Sequence, residues 1–255
     1  MKIEDTEYHK IETLFDRDER FKVIEGKYRL PEFWAIAEWE VSEKVDGTNI
    51  RVIYTPIHEV TGHIGLATMR KVVGHKVVFK GRKEKSQIPA HLLEYLQKTF
   101  TLTKFQKAFP DLPPTSMVVV YGEGYGEKIQ DIGHHYTGKG VKFRAFDVFI
   151  EDHENPYGGW WLESENVKDV ASKLGIETVP IFGGTWTTDQ IVNWIKNGLE
   201  TDHAFSVVQM EDNDNIKQDI DVEGIIAKSK PMLFNRKGKR VMFKLKLRDF
   251  REGKK

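Results

Sequence analysis

An α+β fold built mainly of antiparallel sheets with flanking helices is predicted from three features of the sequence. Apolar runs rich in β-branched and aromatic residues recur along the chain, among them Ala35 to Val41, Met117 to Tyr121 and Val141 to Ile150. Glycine and Asp-Gly turn signals punctuate these runs, as in an antiparallel meander. A helical apolar period is confined to a few short segments.

Taken in order, residues 1 to 33 are mixed and charged, with no boundary strong enough to separate an N-terminal domain. Tyr8, Ile11, Leu14 and Phe15 have rough helical spacing, and Phe21 to Glu25 reads as a short strand. Four strand-like runs follow: Ala35 to Val41, Asn49 to Tyr54, Ile64 to Met69 and Lys76 to Phe79. Asp46-Gly47 is the turn expected between the first two. Pro89 opens a helix whose period runs through Leu93, Leu96 and Phe100, with Phe105 to Phe109 as its continuation. Pro110, Pro113 and Pro114 stop it.

Met117 to Tyr121 is a continuous apolar strand that Gly122-Glu123-Gly124-Tyr125-Gly126 is expected to break, and residues 127 to 140 read as loop. After the strand at Val141 to Ile150, helices are expected over Lys168 to Leu174 and Thr188 to Asn197, the second capped by Thr187 or Thr188. His203 to Met210 reads as a strand. Val222 to Lys228 and Val241 to Leu247 close the chain as strands on either side of a turn at Gly238. One domain over residues 1–255 is the expected organisation.

With 255 residues the chain can bury a sizeable core. Its 39 basic side chains balance 39 acidic ones, so no global field advertises nucleic acid, although a local basic groove stays open. There is no cysteine, which excludes a disulfide frame, a thiolate nucleophile and a cysteine zinc site. The N-terminus lacks a signal-peptide pattern and no apolar run reaches membrane-spanning length. A soluble, cytoplasmic monomer with no membrane partner is the expectation.

Charges inside strand-like text carry the chemical information, because a buried charge demands a partner or a ligand. Lys44 lies in Glu43-Lys44-Val45-Asp46-Gly47-Thr48-Asn49, between two apolar runs. By itself it is either a hairpin lysine facing solvent or a nucleophile made partly neutral by burial or a nearby cation. Glu123 follows Val118 to Gly122, Asp147 sits inside Phe143 to Phe149, and Glu223 precedes Gly224 to Lys228. Lys244 and Lys246 alternate with Phe243, Leu245 and Leu247, so in a strand they share one face. Singly, these are a solvated loop acid, an edge-strand charge, a turn acid and a solvent-facing stripe. Together, carboxylates and lysines from separate strands supply the parts of triphosphate chemistry. The lysines meet phosphate charge, the carboxylates hold a divalent metal, and one lysine is the nucleophile.

Lys44-Val45-Asp46-Gly47-Thr48-Asn49 resembles motif I of the covalent nucleotidyltransferases, the superfamily of ATP-dependent DNA and RNA ligases and mRNA capping enzymes. The later landmarks come in the family's order. Tyr121-Gly122-Glu123 resembles motif III, Phe143 to Asp147 motif IIIa, Val222-Glu223-Gly224 motif IV, and Phe243-Lys244-Leu245-Lys246 motif V. The resemblance covers roughly residues 35 to 250. It implies the nucleotidyltransferase (ligase adenylation) fold. Asn49 and Glu43 resemble the RNA ligase branch, in its phage-type, nick-sealing form, since DNA ligases and capping enzymes usually carry Arg at the place of Asn49. Only Arg248 to Lys255 follow motif V, so the family's C-terminal oligonucleotide-binding or helical domain is not expected.

The resemblance implies a mechanism. A free lysine amine titrates at about 10.4, and Lys244 and Lys246 are expected to ease deprotonation of Lys44 by like-charge repulsion. Lys44 would attack the ATP α-phosphate to give lysyl-AMP. AMP would pass to a 5′-phosphate RNA end, and a 3′-hydroxyl would displace it. Glu123 would hold the ribose, Phe146 would stack on adenine, and Glu43 would read the adenine amino group. Asp147 and Glu223 would place Mg2+ or Mn2+, while Lys244 and Lys246 neutralise the α-phosphate. Arg82 is chosen as the motif Ia arginine, with Arg70 competing. A minimal DNA ligase and a catalytically silent nucleic-acid end-binding module are the alternatives.

Other features rank lower. Arg51 reads as a surface strand charge, His134-His135 as loop surface, and Trp160-Trp161 as packing. Arg236-Lys237-Gly238-Lys239-Arg240, with Arg248, Arg251 and Lys254-Lys255, is either a solvated turn and tail or a nucleic-acid backbone track.

Overall fold

A computed structural model describes residues 6–64, 67–151, 158–201, 204–216 and 218–250. In chain order its elements are β1 (Glu12–Thr13), β2 (Phe15–Arg17), β3 (Val23–Tyr28), α1 (Glu32–Ala35), β4 (Trp39–Glu43), β5 (Thr48–Ile64) and β6 (Ala67–Gly81). Then come α2 (Ala90–Thr99), α3 (Leu102–Ala108), β7 (Met117–Gly126), α4 (Gly133–Thr137), β8 (Val141–Glu151), β9 (Trp160–Trp161) and α5 (Ser164–Leu174). The chain ends with β10 (Glu177–Thr178), β11 (Ile181–Trp186), α6 (Thr188–Thr201), α7 (Val207–Asp212), β12 (Gly224–Ser229) and β13 (Met242–Lys246). The predicted α+β class, mainly antiparallel, is what the chain adopts. Among the described residues no helix is long and apolar enough to cross a membrane.

The elements fall into two compact units. The first comprises Met1–Tyr8, Gly47–Gln130 and Gly140–Thr178. Its sheet has the order β10-β8-β7-β5-β6, with β9 on β8, and only the short β10–β8 pairing is parallel. Ile50, Val52, Val118, Val120 and Val148 face one way from the central strands. They pack on Leu92 and Leu96 of α2, Phe105 of α3, and Val170 and Leu174 of α5. Burying such side chains is worth about 1.5–3 kcal/mol each before the entropy of ordering them is counted.

The second unit comprises His9–Asp46, Asp131–Lys139 and Val179–Lys255. Its sheet has the order β1-β13-β12-β4-β11, antiparallel except at β1–β13, with β2–β3 as a separate hairpin. Trp39, Val41, Ile225, Ala227, Phe243 and Leu245 form the inner face against Ile191 and Ile195 of α6. The Trp39 indole N–H donates to Thr188 Oγ1 at 3.1 Å. Thr187 Oγ1 accepts from the Gln190 N–H at 3.2 Å and Gln190 Oε1 accepts from the Thr187 N–H at 2.8 Å. That reciprocal capping box starts α6 where the expected cap placed it.

Several local expectations are corrected. The Tyr8 to Phe15 segment is extended, not helical: β1 pairs with β13, and β2 pairs with β3. The four-stranded meander does not form. β4 lies in the sheet of β11, β12 and β13, whereas β5 and β6 make one long hairpin, so Asp46-Gly47 links strands of different sheets. Ala35, expected to open a strand, ends α1, and the strand begins at Trp39. Phe105 lies in a separate helix, because Thr101 caps α3 anew by accepting from the Lys104 N–H. Residues 122–126 continue β7 instead of breaking it, and Gly133–Thr137 form α4 inside the expected loop. Val207–Asp212 is a helix where a strand was expected, capped by Ser206; His203 lies outside the described residues.

Candidate functional site

In the second unit, Lys44 immediately follows β4. Its N–H donates to the Gly224 carbonyl at 3.0 Å, which ties it to the start of β12. Gly224 pairs with Lys246 and Ile226 with Lys244 across β12–β13. Phe243 and Leu245 are buried while Lys244 and Lys246 are half-buried on the opposite face, as the alternation predicts. The chain thus brings Lys44, Glu223 and Lys246 to neighbouring strand ends, with Lys244 two residues back along β13.

Glu223 is shared. One carboxylate oxygen accepts from Lys44 Nζ and the other from Lys246 Nζ. Burial pushes the Glu223 carboxyl up, but the two ammonium groups outweigh it and hold it below the usual carboxylate range. The backbone fixes it too, since Leu247 N–H donates to the Glu223 carbonyl at 3.1 Å. Asp46 moves the opposite way. Burial and the Glu223 charge raise it against the pull of Lys44, Lys246 and Arg248. The Asp46 N–H donates to the hydroxyl of buried Tyr136 at 3.2 Å, and burial pushes that phenol far above its ordinary value.

Glu43 is almost wholly buried, with 1% of its surface exposed. Its Oε1 accepts from Ser206 Oγ at 2.5 Å, and its Oε2 accepts from the N–H groups of Val207 and Val208 at 2.9 and 3.1 Å. The carboxylate expected at adenine therefore anchors the first turn of α7, whose amide donors attract negative charge. Nothing in the motif signalled this, and the reading of His203 to Met210 as a strand passed over Ser206, which caps α7 by accepting from the Gln209 N–H.

In the first unit, Asn49 of β5 pairs with Glu123 of β7, and Glu123 pairs with Arg144 of β8. Glu123 is the one half-exposed residue in an otherwise buried strand. Asn49 Oδ1 is buried without a hydrogen-bond partner among the described residues, which leaves an acceptor for a ligand to satisfy. A Cβ on Gly47 would overlap the Gly124 carbonyl and Glu123 Cγ, so glycine at this position is required by a close approach to β7.

Phe146 and Asp147 sit at a bulge, where Tyr121 pairs with Asp147 and Gly122 with Ala145, leaving Phe146 as the extra residue. Asp147 is fully buried and accepts the Tyr8 hydroxyl. The Tyr8 ring lies edge-on to Phe146, with centroids 5.1 Å apart. Tyr8 thus touches both Phe146 and Asp147, a role that its apparent helical spacing hid. Trp161 joins this aromatic group at 5.3 Å from Tyr121, as packing, whereas Trp160 is exposed.

Arg51 corrects a reading. It is fully buried, donating to the Gly81 carbonyl, Thr6 Oγ1 and Glu84 Oε1 at 2.9, 2.9 and 3.0 Å. Arg82 is exposed just past the end of β6, beside the Ile50–Gly81 pair and so at the Asn49 end of β5. Arg70 is exposed opposite Val60, ten residues further along β5. At about 3.3 Å per residue that places it roughly 33 Å away along the strand. The His134 and His135 rings lie 4.0 Å apart on α4, and burial followed by the His134 charge lowers His135. Among the described residues no group of three or more His, Asp or Glu gathers as a metal site. Arg236, Lys237, Lys239 and Arg248 are exposed, Arg240 is buried, and Arg251, Lys254 and Lys255 lie outside the described residues.

A family profile described as RNA ligase matches residues 37–246. The chain belongs to the RNA ligase family. No similar sequence is found among curated proteins. Solved structures of the Naegleria gruberi RNA ligase share the fold. An arginine-to-alanine variant with ATP and Mn aligns at TM-score 0.51 and 17% identity, covering 93% of this chain and 55% of that one. A lysine-to-alanine variant with ATP and Mn aligns at 0.50 and 18%, covering 94% and 57%. The ligase with PPi aligns at 0.50 and 17%, covering 96% and 60%. This RNA ligase family chain therefore spans somewhat over half the length of those relatives.

Proposed function

We propose that the chain is an ATP-dependent RNA ligase joining 5′-phosphate and 3′-hydroxyl ends through a lysyl-AMP intermediate. The observation that carries the reading is the Glu223 carboxylate shared by Lys44 and Lys246, two lysines of motifs I and V.

In the first step Lys44 Nζ, once deprotonated, attacks the α-phosphorus of ATP. An N–P bond forms and the bond to pyrophosphate breaks. Lys244 and Lys246 offset the charge that grows on the α-phosphate oxygens. In the second step a 5′-phosphate oxygen takes the AMP and Lys44 leaves as the amine. In the third, a 3′-hydroxyl attacks the activated 5′ end and AMP departs. Glu123 is assigned to the ribose, Phe146 to adenine and Arg82 to the ribose and 5′-phosphate end. Asn49, with its orphaned acceptor, serves the same ligand.

The residues fit a hard divalent cation in a limited way. Glu223, held ionised by its lysines, would suit Mg2+ or Mn2+. Such an ion would neutralise phosphate charge. Asp147, bonded to Tyr8, is proposed to position the Phe146 bulge and not to ligate metal directly. Glu43, engaged by α7, is proposed to fix the strand end that carries Lys44.

The test offers ATP, divalent metal and 5′-phosphorylated substrates: single-stranded RNA, nicked duplex RNA and nicked DNA. Sealing of RNA supports the proposal. Sealing of DNA alone would make the chain a minimal DNA ligase, and no sealing of any substrate would leave the end-binding module.

A further inference from the structure

The β12–β13 pair carries Glu223 and Lys246 at one end. At its other end, past the Lys228–Met242 pair, the chain makes a tight turn that the ligase reading does not use. Residues 230–240 contain Lys230, Arg236, Lys237, Lys239 and Arg240 and no acid, against a chain whose charges cancel. Arg240 is folded inward, whereas Arg236, Lys237 and Lys239 are exposed.

The turn is built to hold its shape. Asn235 N–H donates to the Lys239 carbonyl at 2.8 Å, and Gly238 N–H donates back to the Asn235 carbonyl at 2.9 Å. Asn235 Oδ1 accepts from the N–H groups of Lys237 and Lys239 at 2.9 and 3.1 Å. Val241 N–H donates to the Leu233 carbonyl at 2.8 Å, and Leu233 N–H to Ser229 Oγ at 3.0 Å. On this fixed frame Phe234 is 51% exposed and Leu233 41% exposed. What sets Phe234 apart is its company, a large aromatic half in water on a fixed turn that also presents three exposed cations.

We infer that the Leu233–Lys239 turn is a single-stranded RNA-binding arm, in which Phe234 stacks on a base while Arg236, Lys237 and Lys239 contact flanking phosphates. This inference rests on the RNA ligase reading for the identity of the nucleic acid. Single strands suit the arm because an unpaired base offers a free face to an aromatic ring, and its phosphates are met by the cations. A paired duplex hides those faces. The pre-formed turn loses little further freedom on binding.

The test measures the binding of a fluorescent single-stranded RNA oligonucleotide and of the same strand annealed to its complement. Proteins compared are the parent chain, Phe234→Ala, Phe234→Leu and the triple variant Arg236→Ala, Lys237→Ala, Lys239→Ala. Covalent labelling from α-labelled ATP is followed in parallel. Both Phe234 variants are expected to bind the single strand about tenfold more weakly. The triple variant is expected to flatten the dependence of log affinity on log salt by about 2. Labelling is expected to be unchanged in all three. Parent-like binding by Phe234→Leu would overturn stacking, and equal losses on the duplex would overturn the single-strand preference. Variants that label normally and bind RNA as the parent does would overturn the arm itself. Absence of labelling in the parent chain would overturn the ligase reading instead, and the oligonucleotide measurements would still decide the arm.

Discussion

Lys44 donates its ammonium hydrogen bond to Glu223, whose second oxygen is held by Lys246. The nucleophile of the proposed reaction therefore rests against the carboxylate proposed to meet the metal, so the state described is one in which both groups are held in place.

Glu223→Gln tests that arrangement. The Glu223 pKa is lowered in the fold, so its contribution to stability is present above the unfolded value of about 4.3 and is lost as pH falls through the lower folded value. Melting temperature of the parent should fall further than that of Glu223→Gln between about pH 6 and about pH 3. Lysyl-AMP formation by the variant should drop by about 100-fold or more. Parallel melting curves across that range would mean that the pair adds nothing to stability.

Tyr8→Phe should destabilise the protein by about 1–3 kcal/mol, because it removes a hydroxyl donor from a fully buried carboxylate. The midpoint of urea unfolding measures this, and an unchanged midpoint would show that the Tyr8–Asp147 bond contributes nothing net.

Gly47→Ala should cost about 1–3 kcal/mol, since the added methyl meets the Gly124 carbonyl and Glu123 Cγ. Labelling should fall with it, because the same strain displaces Glu123. A variant as stable and active as the parent would mean that β7 yields without loss.

These residues also show what was legible. β8 and β13 were readable because unbroken or alternating apolar text has few alternatives, and the alternation put Lys244 and Lys246 on one face correctly. Residues 122–126 misled because glycine usually interrupts strands. Here a Cβ on Gly122 would overlap Phe143 and the Arg144 carbonyl, so glycine permits the strand to pack. Val207 and Val208 favour a strand by propensity, yet the Ser206 cap and the Glu43 carboxylate fix a helix. Arg51 and Tyr8 depend on partners far away in sequence, Glu84 and Asp147, and no local pattern announces such pairs. The motif residues were found by family order, but Glu43's link to α7 was visible only in three dimensions.

The two arginine candidates separate by position. Arg82 lies at the Asn49 end of β5 and Arg70 well along the ribbon. Arg82→Ala should lower lysyl-AMP formation or RNA sealing by about tenfold, the size of effect that follows from removing a charge-assisted hydrogen bond to a phosphate. Arg70→Ala should stay within about twofold, because it removes only a solvated surface charge. The reverse order would reassign the motif Ia role.

The central claim is that Lys44 is the nucleophile. Incubating the parent chain and Lys44→Ala with α-labelled ATP and Mg2+ or Mn2+, then denaturing the protein, measures it directly. Label is predicted to stay on the parent polypeptide and to be missing from Lys44→Ala, with both proteins shown by circular dichroism to be folded at the assay temperature. Label retained by Lys44→Ala, or absent from a folded parent chain, would contradict it.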